Sequence, residues 1–314
     1  MGKIHKLLNK LCSNNNSINY PDVDSEILSN QFGDFFQEKI SRCIDSTRNI
    51  IESEGLVDPV DYSSVVCSLP TLANFDLLSS DSIESMIGSM SNSTSLLDPI
   101  PTKLLKKCLD ILVEPITSIV NKSLSEGKFP EKWKMAIVTP LQKKKDSDTS
   151  LKNYRPVSNL PFIAKLIEKA ALSSFLPHFN SLDSFRLKNS AYKAGHSTET
   201  LLTKILSDLH NNISNKHLSL LVLLDLSAAF DTVNQDKLLD IMYYRFNISG
   251  NCFLWVKSYI FDRKQRISIN NSLSKIYNLT NGVPQGSCVG PIFFLVYINY
   301  MYIIADSLGP SIVQ

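Results

Sequence analysis

The stretch Leu218-Ser-Leu-Leu-Val-Leu-Leu-Asp-Leu-Ser-Ala-Ala-Phe-Asp231 decides how the rest of the chain is read. Leu218 to Leu224 is rich in Leu and Val and carries no charge, proline or glycine, which predicts a strand buried on both faces. Asp225 then arrives at the C-terminal end of that strand, and Ser227, Ala228 and Ala229 open a helix. A carboxylate at a strand end faces a cleft and is held rigidly, which suits gripping a divalent cation against a triphosphate. The same aspartate could equally be the N-cap of the helix that follows, and spacing alone leaves the two readings level.

Downstream, Asn281-Gly-Val-Pro-Gln-Gly-Ser-Cys-Val-Gly290 packs three glycines and a proline into ten residues, ahead of the apolar run Ile292 to Ile298. Gly286 lacks a side chain, so a flat or bulky ligand can come close to the backbone. Gln285 offers both a donor and an acceptor. The plainer reading is a loop before a buried helix.

Upstream, the chain turns basic. Lys128 to Lys169 holds 10 basic against 4 acidic residues, and the strand-like Met135 to Leu141 leads into Lys143 to Lys145, a run open to phosphate contact or simply to solvent. Between Lys257 and Lys275, Lys257, Arg263, Lys264, Arg266 and Lys275 outnumber Asp262, with Tyr259 and Phe261 among them and Trp255 just before. Basic groups mixed with aromatics suit a single strand or a hybrid backbone. From Asp98-Pro99 a long amphipathic pattern runs from Leu104 to Leu124 and ends at Gly127, with Pro115 placed to split it.

Residues 1–97 read as an acidic, partly helical segment or linker. Asp22 to Asp98 carries 14 acidic and 3 basic residues, against 16 acidic and 26 basic from Pro99 to Gln314, which implies two partners or two roles unless it is ordinary variation. Ile27, Leu28, Phe32, Phe35, Phe36, Ile40, Ile44 and Ile51 recur at helical steps, a stripe that needs covering either by the rest of the chain or by a protein partner.

Bulk properties fit an ordinary globular protein: 314 residues, 43% hydrophobic and 20% charged, net charge +2. Six scattered cysteines without a C-x-x-C pair argue against zinc. No signal peptide and no membrane-length apolar run is seen, so an intracellular setting is expected, with nucleus and cytoplasm not distinguished. His196, Ser197 and Glu199 invite a hydrolase reading, but no nucleophile elbow accompanies them, and a helix cap accounts for them better.

Taken in order, NYRPVSNLP (153–161) with FIAKLIEK (162–169), NSAYKAGHSTETLL (189–202), LDLSAAFDTV (224–233) and NGVPQGS (281–287) resemble the reverse transcriptases of non-long-terminal-repeat, LINE-type retrotransposons. The resemblance covers Asp98 to Gln314. It implies an α/β (α+β) fold, the fingers and partial palm of a right-hand polymerase, with an antiparallel palm sheet carrying Asp225, helices flanking it, and no thumb. Residues 98–314 would be the polymerase part.

Carried onto this sequence, the resemblance makes Asp225 the first metal ligand for Mg2+ or Mn2+, with the Leu226 carbonyl beside it. Phe230 would lie under the incoming sugar and exclude a 2′-hydroxyl. Arg155 and Lys193 match basic finger positions, Lys193 being the better placed for the triphosphate. Gln285, Gly286 and Pro284 match the turn against the template and nascent base pair, and Lys264 and Arg266 fall near a template or primer contact. The implied partners are an RNA template, a DNA primer and deoxynucleoside triphosphates, with no membrane.

Departures matter too. Asn189 and Lys193 stand where the family usually has Gln and Arg, and an Arg-to-Lys change loses bidentate geometry. Tyr300 follows Asn299 where a small or acidic residue is usual. Two-metal chemistry needs a second set of carboxylates, which the family supplies in an aromatic-Ala-Asp-Asp hairpin. The register places that hairpin beyond Gln314, with Ser311 to Gln314 as the strand leading to it, and Ala305-Asp306 comes too early to replace it. Catalysis by the chain as it stands is therefore not expected. The alternative is a non-catalytic nucleic-acid-binding remnant of a retroelement.

Overall fold

A computed structural model describes residues 20–55, 69–144, 148–182, 185, 190–193, 195–299 and 301. Asn189, Lys145, Tyr300, Ala305-Asp306 and Ser311 to Gln314 lie outside the described residues.

Helix α1 (Ser25–Ser53) starts where the Asp24 carboxylate accepts from the amides of Glu26 and Ile27, both at 3.0 Å. Its apolar stripe buries Leu28, Phe32 and Phe36 against Val138, Tyr154, Ile267 and Ile269, forming the smaller of two cores. Each such side chain contributes about 1.5–3 kcal/mol when fully covered. The stripe is thus covered by the chain itself at Leu28, Phe32 and Phe36, while Ile27 at its start and Ile50 and Ile51 near the far end stay 55%, 58% and 39% exposed. Gly33 lies directly beneath the Tyr277 ring, where a methyl group would collide with it. The Tyr277 hydroxyl lies 2.9 Å from the Asn30 carbonyl and 3.0 Å from Asp34, and Lys275 pairs with Asp34 at 2.8 Å.

The sheet under α1 contains β1 (Met135–Gln142), β2 (Tyr154–Asn159), β3 (Arg263–Ile269), β4 (Ser272–Leu273) and β5 (Tyr277–Leu279). Its order is β2-β1-β3-β4, with β5 also on β3. β1 and β2 run antiparallel from Ile137 opposite Asn159 to Gln142 opposite Tyr154, whereas β1 and β3 run parallel. The sheet is therefore mixed, not antiparallel as expected. β3 enters after a long excursion through helices, and that crossover brings it in beside β1 in the same direction.

The larger core gathers around α5 (Phe162–Asn180), whose Leu166, Ile167, Ala170, Ala171, Phe175 and Phe179 are buried. Against it pack α2 (Ser80–Ser89), α4 (Leu109–Ser125) and α8 (Gly250–Ile260). Trp255 and Tyr259 stack at 5.2 Å between ring centres, and Phe175 and Phe179 stack at 5.6 Å. Ile83 and Ile87 of α2 reach this core, so the first 97 residues supply side chains to both. The long amphipathic pattern breaks at Cys108, between α3 (Thr102–Lys107) and α4, and not at Pro115. Cys108 leaves helical geometry at φ −108°, ψ 23°, whereas α4 continues through the proline. After α6 (Thr198–Ser214) and α7 (Gln235–Asp240), α9 (Gly290–Ile298) is buried along most of its length.

The decisive stretch does not form the expected strand. Residues 218–226 form no regular element, belong to no sheet and lie bare, with Leu218, Leu220 and Leu223 at 102%, 90% and 83% exposure. An apolar run specifies that it should be covered but not by what, and no strand among the described residues lies alongside it. The N-cap alternative fails as well. Ser227 to Phe230 make a turn, and the next helix, α7, is capped by Asn234, whose side chain accepts from the Lys237 amide at 2.9 Å. Among the described residues no helix is long and apolar enough to cross a membrane.

Candidate nucleic-acid interface

The glycine-rich turn at 281–290 is held from three sides. From the 230–233 loop, the Phe230 and Val233 carbonyls accept from the amides of Val283 at 2.9 Å and Gly282 at 2.7 Å. From β2, the Ser158 amide donates to the Gln285 carbonyl at 2.8 Å. From α5, Glu168 accepts from the Cys288 amide at 2.6 Å. The turn also closes on itself, since the Ser287 hydroxyl accepts from the Gly290 amide at 2.9 Å.

Two glycines make this closeness feasible. Gly282 has φ +85°, and a Cβ there would sit 2.8 Å from the Asp231 carbonyl oxygen. Gly286 has φ +105°, and its Cβ would sit 2.5 Å from the Ser158 carbonyl oxygen. Any side chain would strain the backbone and push the turn off β2. Gly286 itself is exposed, so its bare backbone is presented outward from the Ser158 contact.

Two carboxyls that the sequence reading passed over do much of the holding. Asp231 accepts from Gln285 Nε2 at 2.8 Å, and burial pushes its carboxyl up to about 6, against a smaller opposing pull from that bond. Its sequence signal was a second aspartate six residues after Asp225, in a segment where only the first was given a role. Glu168 is fully buried, and burial pushes its carboxyl upward while Arg263 and the Cys288 amide pull it back. Its signal was a charge on the apolar stripe that Ala164, Ile167, Ala171 and Phe175 mark on α5.

The other expected positions are distributed as follows. Arg155 is exposed on β2, opposite Leu141, one strand position from Pro156 and close to the turn's anchor at Ser158. Phe230 is half-buried, its ring 5.1 Å from Phe294 and 6.5 Å, edge-on, from Tyr192. Lys193, next to Tyr192, is half-buried in a turn whose carbonyl accepts from the His196 amide at 3.2 Å. Pro284 is buried within the turn. Lys264 is exposed on β3, while the Arg266 guanidinium is engaged with the Ser274 carbonyl at 2.6 Å. Phe36, Ile40, Pro156, Ser158, Asp231, Gln265 and Gln285 line a shallow depression beside the turn.

Asp225 and Leu226 are not drawn into this assembly. Both are exposed and off the sheet, and no cluster of three or more His, Cys, Asp or Glu among the described residues could hold a metal ion. One exposed carboxylate does not fit a tightly held divalent cation, which takes several oxygen ligands. Ser197 is accounted for by the capping box of α6, where Ser197 and Thr200 exchange hydrogen bonds.

The family described as reverse transcriptase (RNA-dependent DNA polymerase) matches residues 142–307, over half of the chain. The chain belongs to the reverse transcriptase family. Among curated proteins, this reverse transcriptase chain is 27% identical over 204 residues to the RNA-directed DNA polymerase from mobile element jockey of Drosophila melanogaster, covering 65% of this chain and 22% of that protein. From the same organism, it is 26% identical over 186 residues to the probable polymerase from transposon X-element, covering 59% and 20%, and 28% identical over 179 residues to that from transposon BS, covering 57% and 20%. These relatives bear out the LINE-type assignment. The reverse transcriptase chain spans about a fifth of the length of the curated relatives it matches. A solved apo telomerase from Candida tropicalis is similar over 56% of this chain and 40% of that one, at 14% identity and a TM-score of 0.39, too remote to carry an argument.

Proposed function

We propose that residues 98–314, with α1 and α2 packed onto them, form fingers and part of the palm of an RNA-directed DNA polymerase, and that the 282–287 turn is its template-facing surface. The observation that carries this reading is the fixed contact between the Gln285-Gly286 turn, β2 and the 230–233 loop. A glycine backbone held rigidly beside the strand that carries Arg155 can lie against a base pair without a side chain intervening. Arg155 and Lys264 would meet phosphates, Lys193 the triphosphate, and Phe230 the incoming sugar. The polar partners are an RNA template, a DNA primer and deoxynucleoside triphosphates. Protein contact through residues 1–97 is placed at the exposed end of α1.

Binding of an RNA–DNA hybrid measured against salt tests the surface. Neutralising Z phosphates gives a log–log slope of roughly −0.7Z to −0.9Z, and Arg155→Ala and Lys264→Ala should each flatten it by about one unit of Z. A slope near zero, or one that neither substitution changes, removes the proposal.

The second reading, a nucleic-acid-binding module without catalysis, is favoured by the exposed, off-sheet position of Asp225. Primer extension with Mg2+ or Mn2+ separates the two. Extension that disappears in Asp225→Ala supports the polymerase; hybrid binding with no extension supports the module.

A further inference from the structure

The 284–288 turn is fastened on its inner side by a network buried within the larger core. Glu168, 0% exposed on α5, accepts from the Tyr259 hydroxyl through Oε1 at 2.8 Å and from the Cys288 amide through Oε2 at 2.6 Å. Arg263, 2% exposed at the start of β3, lies over the Tyr259 ring at 4.7 Å and donates to the Tyr259 carbonyl at 3.0 Å. Its Nε and Nη2 have no hydrogen-bond partner, so the charge of Glu168 across the ring is what offsets a cation placed out of water.

We propose that Glu168 is a positioning residue for the interface. By holding the Cys288 amide it fixes the height of Gln285 and Gly286 over β2, and through Arg263 it ties that height to the strand carrying Lys264. A carboxylate suits this task better than a neutral acceptor. A charge-assisted bond to an amide resists opening more than a neutral one, and two oxygens let one side chain hold two elements at once. The functional part rests on the reading of the turn as a nucleic-acid contact; the mechanical part does not.

The test begins with the unaltered chain. Hydrogen exchange at Cys288 should be among the slowest of residues 281–290, and exchange as fast as in an exposed loop overturns the proposal without any substitution. Glu168→Ala alone would leave Arg263 uncompensated and could unfold the core. The informative variants are therefore Glu168→Gln and the paired Glu168→Met/Arg263→Met, which removes both charges together. If Glu168 serves only to offset Arg263, the paired variant behaves as the parent in every respect, and the proposal falls.

If Glu168 positions the turn, the paired variant keeps the parent's global unfolding midpoint. Exchange at 286–288 then rises at least about tenfold, as expected for losing one charge-assisted bond, and hybrid affinity drops alongside it. Glu168→Gln, which keeps one acceptor, should fall between the two. Faster exchange with unchanged hybrid affinity would retain Glu168 as the fastener of the turn but remove the nucleic-acid reading of the turn. The two failures are thereby told apart.

Discussion

The 281–290 turn and the 218–226 segment make an instructive pair, because the sequence presents both as chemistry-bearing stretches and the structure treats them oppositely. The turn is gripped by α5, β2 and the 230–233 loop, and most of its residues are buried or half-buried. The segment is irregular and exposed, with no strand beside it among the described residues. Local composition does not separate them. What separates them is whether the described residues supply the groups each requires.

Hydrogen exchange should break or sharpen this contrast most strongly. Amides at 218–226 should exchange near the unfolded rate, whereas Val283 and Cys288 should be protected by roughly a thousandfold or more, as core amides are. Protection of the 218–226 amides would show that the segment finds a partner and erase the distinction.

Gly286→Ala comes next. Its φ of +105° and the Ser158 carbonyl oxygen 2.5 Å from the new Cβ predict a loss of about 2–3 kcal/mol by denaturant unfolding. A neutral result would mean that the turn is not seated on β2 as described.

Asp231 gives a test that depends on pH. Its carboxyl titrates at about 6 when folded against an ordinary 3.8, so the folded state binds the proton more tightly. The associated stabilisation is present in full below about pH 4 and is lost as pH rises through 6, leaving a buried charge at neutrality. Asp231→Asn retains an oxygen for Gln285 and removes that charge. It should raise stability by about 3 kcal/mol at pH 7 and by almost nothing at pH 4. An equal effect at both values would show that the carboxyl is not perturbed by burial.

The smallest effect belongs to the bare segment. Leu223→Ser should change stability by no more than about 0.5 kcal/mol, since the side chain is 83% exposed. A loss of the size expected for a core leucine, roughly 2–5 kcal/mol to alanine, would bring back the buried strand.

Elements whose partners are set by local periodicity were legible in advance. The stripe of α1 announced a covered helix, and the apolar run 292–298 announced a buried one. The family itself was legible from the order of its motifs. The parallel β1–β3 pairing was not, because it depends on a crossover of more than a hundred residues, and no sequence period encodes which distant strand will lie alongside. The fate of 218–224 was misread for the same reason. Within the candidate site, Gln285 and Gly286 could be picked out as unusual, but Asp231 and Glu168 could not be recognised as their supports. A buried acid becomes intelligible only once the amides and cations around it are known.

The match to the family's sequence pattern starts at Gln142, the last residue of β1. The side chains and strands that complete the second core begin far earlier. A polypeptide starting at Gln142 would lack nearly all of a central strand and the helix roofing Tyr154, Ile267 and Ile269, leaving the second core open to water. Boundaries inherited from sequence likeness would thus cut through the sheet, and any shortened version meant to stay folded should retain the chain from Tyr20 onward.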